Sequence, residues 1–133
     1  MATDNGTMVP SHTPTNTAID WSVLDAFAAF RKPGGQDPRV RLMTVYLQSS
    51  PSLMEALRAA LTAGDAPALT KAAHALKSSS AGIGATGFAR ICAELEQLGR
   101  VNALQDVPAL LEQAEREFVA VCAAFHEALE QGE

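Results

Sequence analysis

From Ala18 onward, apolar residues recur at intervals of three and four, the period of amphipathic helices, and no stretch alternates as a strand would. The first ordered segment, "AIDWSVLDAFAAF", places Asp20 as an N-cap between Ile19 and Leu24, the two ends of a hydrophobic staple. It predicts a short helix from Asp20 to Phe30, and "RKPGGQD" then breaks the chain. A second pattern runs from Pro38 to Ala63 through Val40, Met43, Tyr46, Leu47, Leu53, Met54, Leu57 and Leu61. Pro51 interrupts it, which allows two helices or one helix kinked near the proline; the unbroken periodicity favours the kinked helix.

Gly64 closes that element, and Asp65 opens a third helix with Pro67 tolerated in its first turn. Gly84 ends the third. A fourth is expected from Ala85 to Leu98, with Phe88, Ile91, Cys92, Leu95 and Leu98 facing inward and Gly99 as its stop. Asp106 caps a fifth, whose stripe is Val107, Leu110, Leu111, Ala114, Phe118, Val121, Cys122, Phe125 and Leu129. One short helix and four longer ones joined by short loops predict an all-α fold, an antiparallel four-helix bundle with a short additional N-terminal helix. The domain spans 19–131. Residues 1–18 are polar, carry Pro and Thr without periodicity, and are expected to be a disordered tail or linker in which His12 has no partner.

Composition sharpens this reading. The 133 residues suit one domain, and an apolar content of 47% dominated by Ala and Leu, with 5% aromatics, favours helices over sheet. A net charge of −5 without a basic run argues against nucleic acid as a partner. No apolar run reaches membrane-spanning length and no secretory leader is visible, so a soluble, cytoplasmic chain is expected. Cys92 and Cys122 fall within apolar stripes and read as buried free thiols.

Candidate chemistry concentrates in "AAHALKSSSAGIGATGFARI". On a wheel for the third helix, Leu69, Ala73, Leu76, Ser80 and Ile83 share the core side, whereas His74 lies about 140° away among small residues. Thr70 and Ala81 flank His74, Lys77 stands nearer the boundary and Ser78 points outward. Ser80 is expected to bond a carbonyl one turn back. An exposed imidazole can shuttle protons, bind a metal or act as a nucleophile. Metal binding is disfavoured, because Thr70, Lys71, Lys77 and Ser78 at the neighbouring helical positions supply no ligand set. General acid–base catalysis wants an orienting carboxylate, and no Asp or Glu lies within a turn of His74. Attack on phosphorus fits better: Lys77 opposes ring protonation and offsets phosphoryl charge. A solvated His and Lys on an alanine-rich helix remains the plain alternative.

The residues Ala73, His74, Leu76, Lys77, Ser79, Gly84, Ala85, Leu95 and Glu96 resemble the signature of histidine-containing phosphotransfer (HPt) domains, and the likeness extends over about 19–130. One departure is Ser78, where that family usually has Gly. The resemblance implies a phosphorelay carrier in a two-component system. His74 would accept a phosphoryl group from a receiver-domain aspartyl phosphate and pass it to another receiver, with Lys77 stabilising the phosphoryl charge. It further implies no ATP-dependent kinase activity, no cofactor or metal bound by this domain, and magnesium on the partner receiver. The partners would be response-regulator receiver domains, including those of a hybrid sensor histidine kinase, and the chain is expected to be a monomer. Thr70, Lys71, Ser78, Ala81 and Arg90 are candidate docking residues. A competing reading is a helical protein-interaction module whose histidine is never phosphorylated.

Two further groups read as structural. Cys122 and His126 have metal-pair spacing but no second pair, and fit a core thiol and a boundary histidine. Trp21 is expected to cap one end of the core.

Overall fold

The computed structural model describes residues 18–131. Residues 1–17 of the expected N-terminal tail, His12 among them, therefore lie outside the described residues, whereas Ala18, expected in the tail, is buried against the core. Helix α1 spans Trp21–Asp25 and continues as a 3-10 turn over Ala26–Phe30. The four long helices are α2 (Pro38–Ala63), α3 (Ala66–Gly82), α4 (Thr86–Arg100) and α5 (Val107–Gln131), the last preceded by a 3-10 turn at Leu104–Asp106. No strand occurs among the described residues. Helix α3 packs on α2 and α4, and α5 closes the ring against α4 and α2. Short connections make successive helices antiparallel, so the expected four-helix bundle with an added N-terminal helix is the fold observed. None of the described helices is long and apolar enough to cross a membrane.

Local signals explain the boundaries. Asp20 accepts a bond from the Ser22 amide, Asp37 from Arg39 and Asp65 from Ala68, each satisfying a helix N–H that would otherwise lack a partner. Helix α2 runs unbroken through Pro51. Just before the proline, the Ser49 and Ser50 hydroxyls donate to the Val45 and Tyr46 carbonyls one turn back, at 2.9 and 2.6 Å. Gly84, at φ 94°, turns the chain between α3 and α4, and its carbonyl accepts from the Asp20 amide at 2.7 Å. A Cβ at Gly84 would stand 2.5 Å from the Asp20 carbonyl oxygen, so the N-terminal segment is sewn to this turn through a position only glycine can fill.

Leu69, Ala73, Leu76, Ser80 and Ile83 are all buried, as the wheel requires. Phe125 sits at the centre of an aromatic group, edge-on to Tyr46 at 5.5 Å and to Trp21 at 6.1 Å, and half-buried Trp21 covers that end of the core. Both cysteines are free, Cys92 buried and Cys122 half-buried; burial pushes their thiols up to about 12 and about 11. His126 is exposed.

Two local expectations are corrected. Gly99 does not stop α4, which continues to Arg100; it is buried where α4 crosses α3, and a Cβ there would collide with the Thr70 hydroxyl and stand 3.2 Å from Leu69 Cδ2. The glycine is needed for close approach of two helices, not for a turn. Ser80 bonds the Tyr46 hydroxyl at 2.7 Å across to α2 instead of a carbonyl on its own helix, because Tyr46 brings a buried hydroxyl that needs a partner.

Candidate functional site

His74 projects from the middle of α3 with its side chain 58% exposed, on the side away from the core. Around it α3 presents Lys71, Ser78 and Ala81, all exposed. Helix α4 lies alongside and brings Glu96 to the ring. The Glu96 carboxylate is only 4% exposed, and three groups converge on it. His74 Nδ1 stands 2.9 Å from Oε2, Lys77 Nζ lies 2.7 Å from Oε1, and an Arg100 guanidinium nitrogen reaches Oε2 at 2.6 Å.

This arrangement overturns the expectation that no carboxylate orients His74. The acid comes from the neighbouring helix, which a wheel of α3 alone cannot show. It also changes the resting role of Lys77, whose ammonium is ion-paired to Glu96 rather than free beside the ring. Charge-assisted bonds from Lys77 first, then Arg100, with His74 adding to them, hold the Glu96 carboxyl down to about 2 despite its burial. Glu96 is therefore ionised at neutral pH and can only accept hydrogen bonds.

The tautomer follows. Facing an obligate acceptor, Nδ1 must carry the proton, and in the neutral ring the lone pair then resides on Nε2. No protein group bonds Nε2 among the described residues. The site is an oriented, exposed imidazole with its lone pair on Nε2, beside two cationic side chains. No group of three or more His, Cys, Asp or Glu suited to a metal occurs among the described residues.

The other expected docking residues divide. Thr70 is half-buried, its hydroxyl donating to the Ala66 carbonyl at 2.8 Å in the α3–α4 contact over Gly99. Arg90 is exposed, but it lines a shallow groove between α4 and α5 with Glu94, Gln113 and Glu117, about a third of a helical turn round α4 from Glu96. It is not brought to His74. Arg100, which lies a full turn beyond Glu96, takes the place expected of Arg90.

A small helical bundle that presents one oriented imidazole to solvent has the build of a carrier. Comparison with known proteins gives that class a family: residues 41–132 match the Hpt domain, and the chain belongs to this family of phosphotransfer carriers in two-component signalling. Among solved structures it is similar to histidine-containing phosphotransfer protein B (HptB) from Pseudomonas aeruginosa PAO1. The two share 35% identity at a TM-score of 0.80, over 87% of this chain and 97% of that one. No curated protein sequence matches the chain.

Proposed function

We propose that His74 is the phosphoacceptor, taking its phosphoryl group from the aspartyl phosphate of one receiver domain and delivering it to the aspartate of another. The observation that carries this reading is the bond between His74 Nδ1 and Glu96, which leaves Nε2 as the outward nucleophile. In the forward step the Nε2 lone pair forms the N–P bond as the P–O bond to the aspartyl carboxylate breaks, and that carboxylate leaves with its electron pair. The Nδ1 proton stays in place. The ring gains positive charge, which ionised Glu96 balances at 2.9 Å. Delivery is the same step reversed.

Lys77 and Arg100 keep Glu96 ionised in the resting site and place two cationic ends beside the arriving phosphoryl group. Magnesium belongs to the receiver in this scheme, and this domain contributes neither nucleotide binding nor hydrolysis.

The test is transfer. Receiver domains from the source genome, loaded with labelled phosphate, are mixed with the protein and with its His74→Gln variant. Acid-labile, alkali-stable label should appear on the unmodified chain only. Label on both chains would move the acceptor elsewhere, and label on neither from well-phosphorylated receivers would favour the binding-only module.

A further inference from the structure

Helix α3 carries four hydroxyl side chains, and three of them are engaged. Thr70 donates to the Ala66 carbonyl at 2.8 Å, Ser79 reaches the Leu76 carbonyl at 3.4 Å, and Ser80 bonds Tyr46 at 2.7 Å. Ser78 is exposed, and among the described residues its hydroxyl has no hydrogen-bond partner. A hydroxyl inside a helix ordinarily donates to the carbonyl one turn back, as Thr44, Ser49 and Ser50 do on α2. The carbonyl in that position for Ser78 belongs to His74, and Ser78 leaves it alone.

The idle hydroxyl stands beside the reactive ring. Ser78 follows His74 by one helical turn, so their Cβ atoms are neighbours about 5–6 Å apart. Cα–Cβ bonds tilt towards the start of a helix, which leans Ser78 back over the turn that bears His74. The HPt signature usually has Gly here, so the hydroxyl is not a fixed part of that signature.

A phosphoryl group on the ring brings three strong acceptor oxygens and a charge of about −2. The nearest cations are already committed. Lys77 and Arg100 bond Glu96 at 2.7 and 2.6 Å, and withdrawing either would strip compensation from a carboxylate that is only 4% exposed. They supply charge from fixed places. Ser78 gives up no bond to reach a phosphoryl oxygen, and its short side chain has little freedom to lose. Lys71 is also exposed and without an ion pair among the described residues, but its long chain must be ordered before it can hold anything.

We propose that Ser78 holds the phosphoryl group on His74, its hydroxyl donating to a phosphoryl oxygen, and so raises the share of phosphate that the carrier keeps against its receivers. The assignment rests on the carrier role of His74. At equilibrium between a receiver and the carrier, kept dilute enough to be mostly apart, phosphate is shared according to the stabilities of the separate phosphorylated proteins. Contacts that exist only in the docked complex drop out of that ratio, which therefore reports the hydroxyl and not the approach of the partner.

The experiment measures this ratio for the unmodified protein, Ser78→Ala and Ser78→Thr with one phosphorylated receiver, and follows the phosphoramidate-loaded proteins by phosphorus NMR. Ser78→Ala should move the ratio towards the receiver by roughly threefold to tenfold, and Ser78→Thr should restore it. A donor bonded to the phosphoryl group favours its dianion, so the midpoint of its second ionisation should rise in Ser78→Ala. Ser78→Ala should melt no lower than the parent, because no bond within the chain is lost. An unchanged ratio in Ser78→Ala, or an equal shift in Ser78→Thr, overturns the proposal. A shift confined to Lys71→Ala gives the contact to the lysine and overturns it likewise. If no receiver exchanges phosphate with the unmodified protein, the carrier reading falls and the phosphorus midpoint alone decides the contact; an unchanged midpoint in Ser78→Ala removes it.

Discussion

Glu96→Gln keeps a hydrogen-bond acceptor for His74 and removes the charge that Lys77 and Arg100 share. The Glu96 carboxyl lies at about 2 against an ordinary 4.5. At roughly 1.36 kcal/mol per unit, that displacement sets a ceiling of about 3 kcal/mol on what its ionised form contributes. The groups that cover the carboxylate are themselves open to water, Lys77 at 36% and His74 and Arg100 at 58%. Solvent screening therefore brings the expected contribution to about 1–2 kcal/mol.

The sign follows from the direction of the shift. A carboxyl depressed by folding contributes stability that is complete above its unfolded value and lost as pH falls through its folded value. Urea unfolding of the two proteins should differ by about 1–2 kcal/mol at pH 7. The gap should close as pH falls from about 4.5 towards 2. Asp37, also held down to about 2 by its bonds to Arg39, acts equally in both proteins and cancels in the difference. A gap that stays constant with pH, or is absent at pH 7, would refute the idea that charge at Glu96 stabilises the fold. Transfer separates charge from orientation. Glu96→Ala, which removes the acceptor as well, should slow phosphotransfer by about tenfold relative to Glu96→Gln, the factor that one hydrogen bond of about 1.4 kcal/mol supplies. Equal rates would mean that the ring is not held by this bond.

Two further pairs of substitutions test the frame around the site. Leu76→Ala, in the core, should cost about 2–5 kcal/mol, whereas exposed His74→Gln should change stability by no more than about 0.5 kcal/mol; urea melts that reverse the order would refute the placement of α3. Gly99→Ala should destabilise by about 1–3 kcal/mol despite alanine's better helix propensity, and adding Thr70→Ala should recover part of that loss in thermal melts because the colliding hydroxyl is gone.

The stability contrast between Leu76 and His74 could be drawn from the sequence because it depends on one helix at a time. Periodicity decides which side of α3 is covered, and the N-caps at Asp20 and Asp65 obey local hydrogen-bonding rules, so the bundle and the outward histidine were both legible. The role of Glu96 was missed and that of Gly99 misread because both belong to a pair of helices. Glu96 is far from His74 along the chain, and Gly99 has the composition of a helix stop. Yet the antiparallel hairpin carried a usable signal. His74 lies ten residues before Gly84 and Glu96 twelve after it; Thr70 lies fourteen before and Gly99 fifteen after. Two helices of equal rise folding back from one turn bring such positions to the same height, which is where the structure joins imidazole to carboxylate and threonine to glycine. Height alone leaves the choice of face open. The face is set by the core: Leu95 and Phe88 must point inward, and that rotation leaves Glu96 at the seam with α3, beneath His74, and carries Arg90 round towards α5. The pairing of imidazole and carboxylate is thus a consequence of packing α4, and a change that rotated α4 would remove the tautomer control without touching His74.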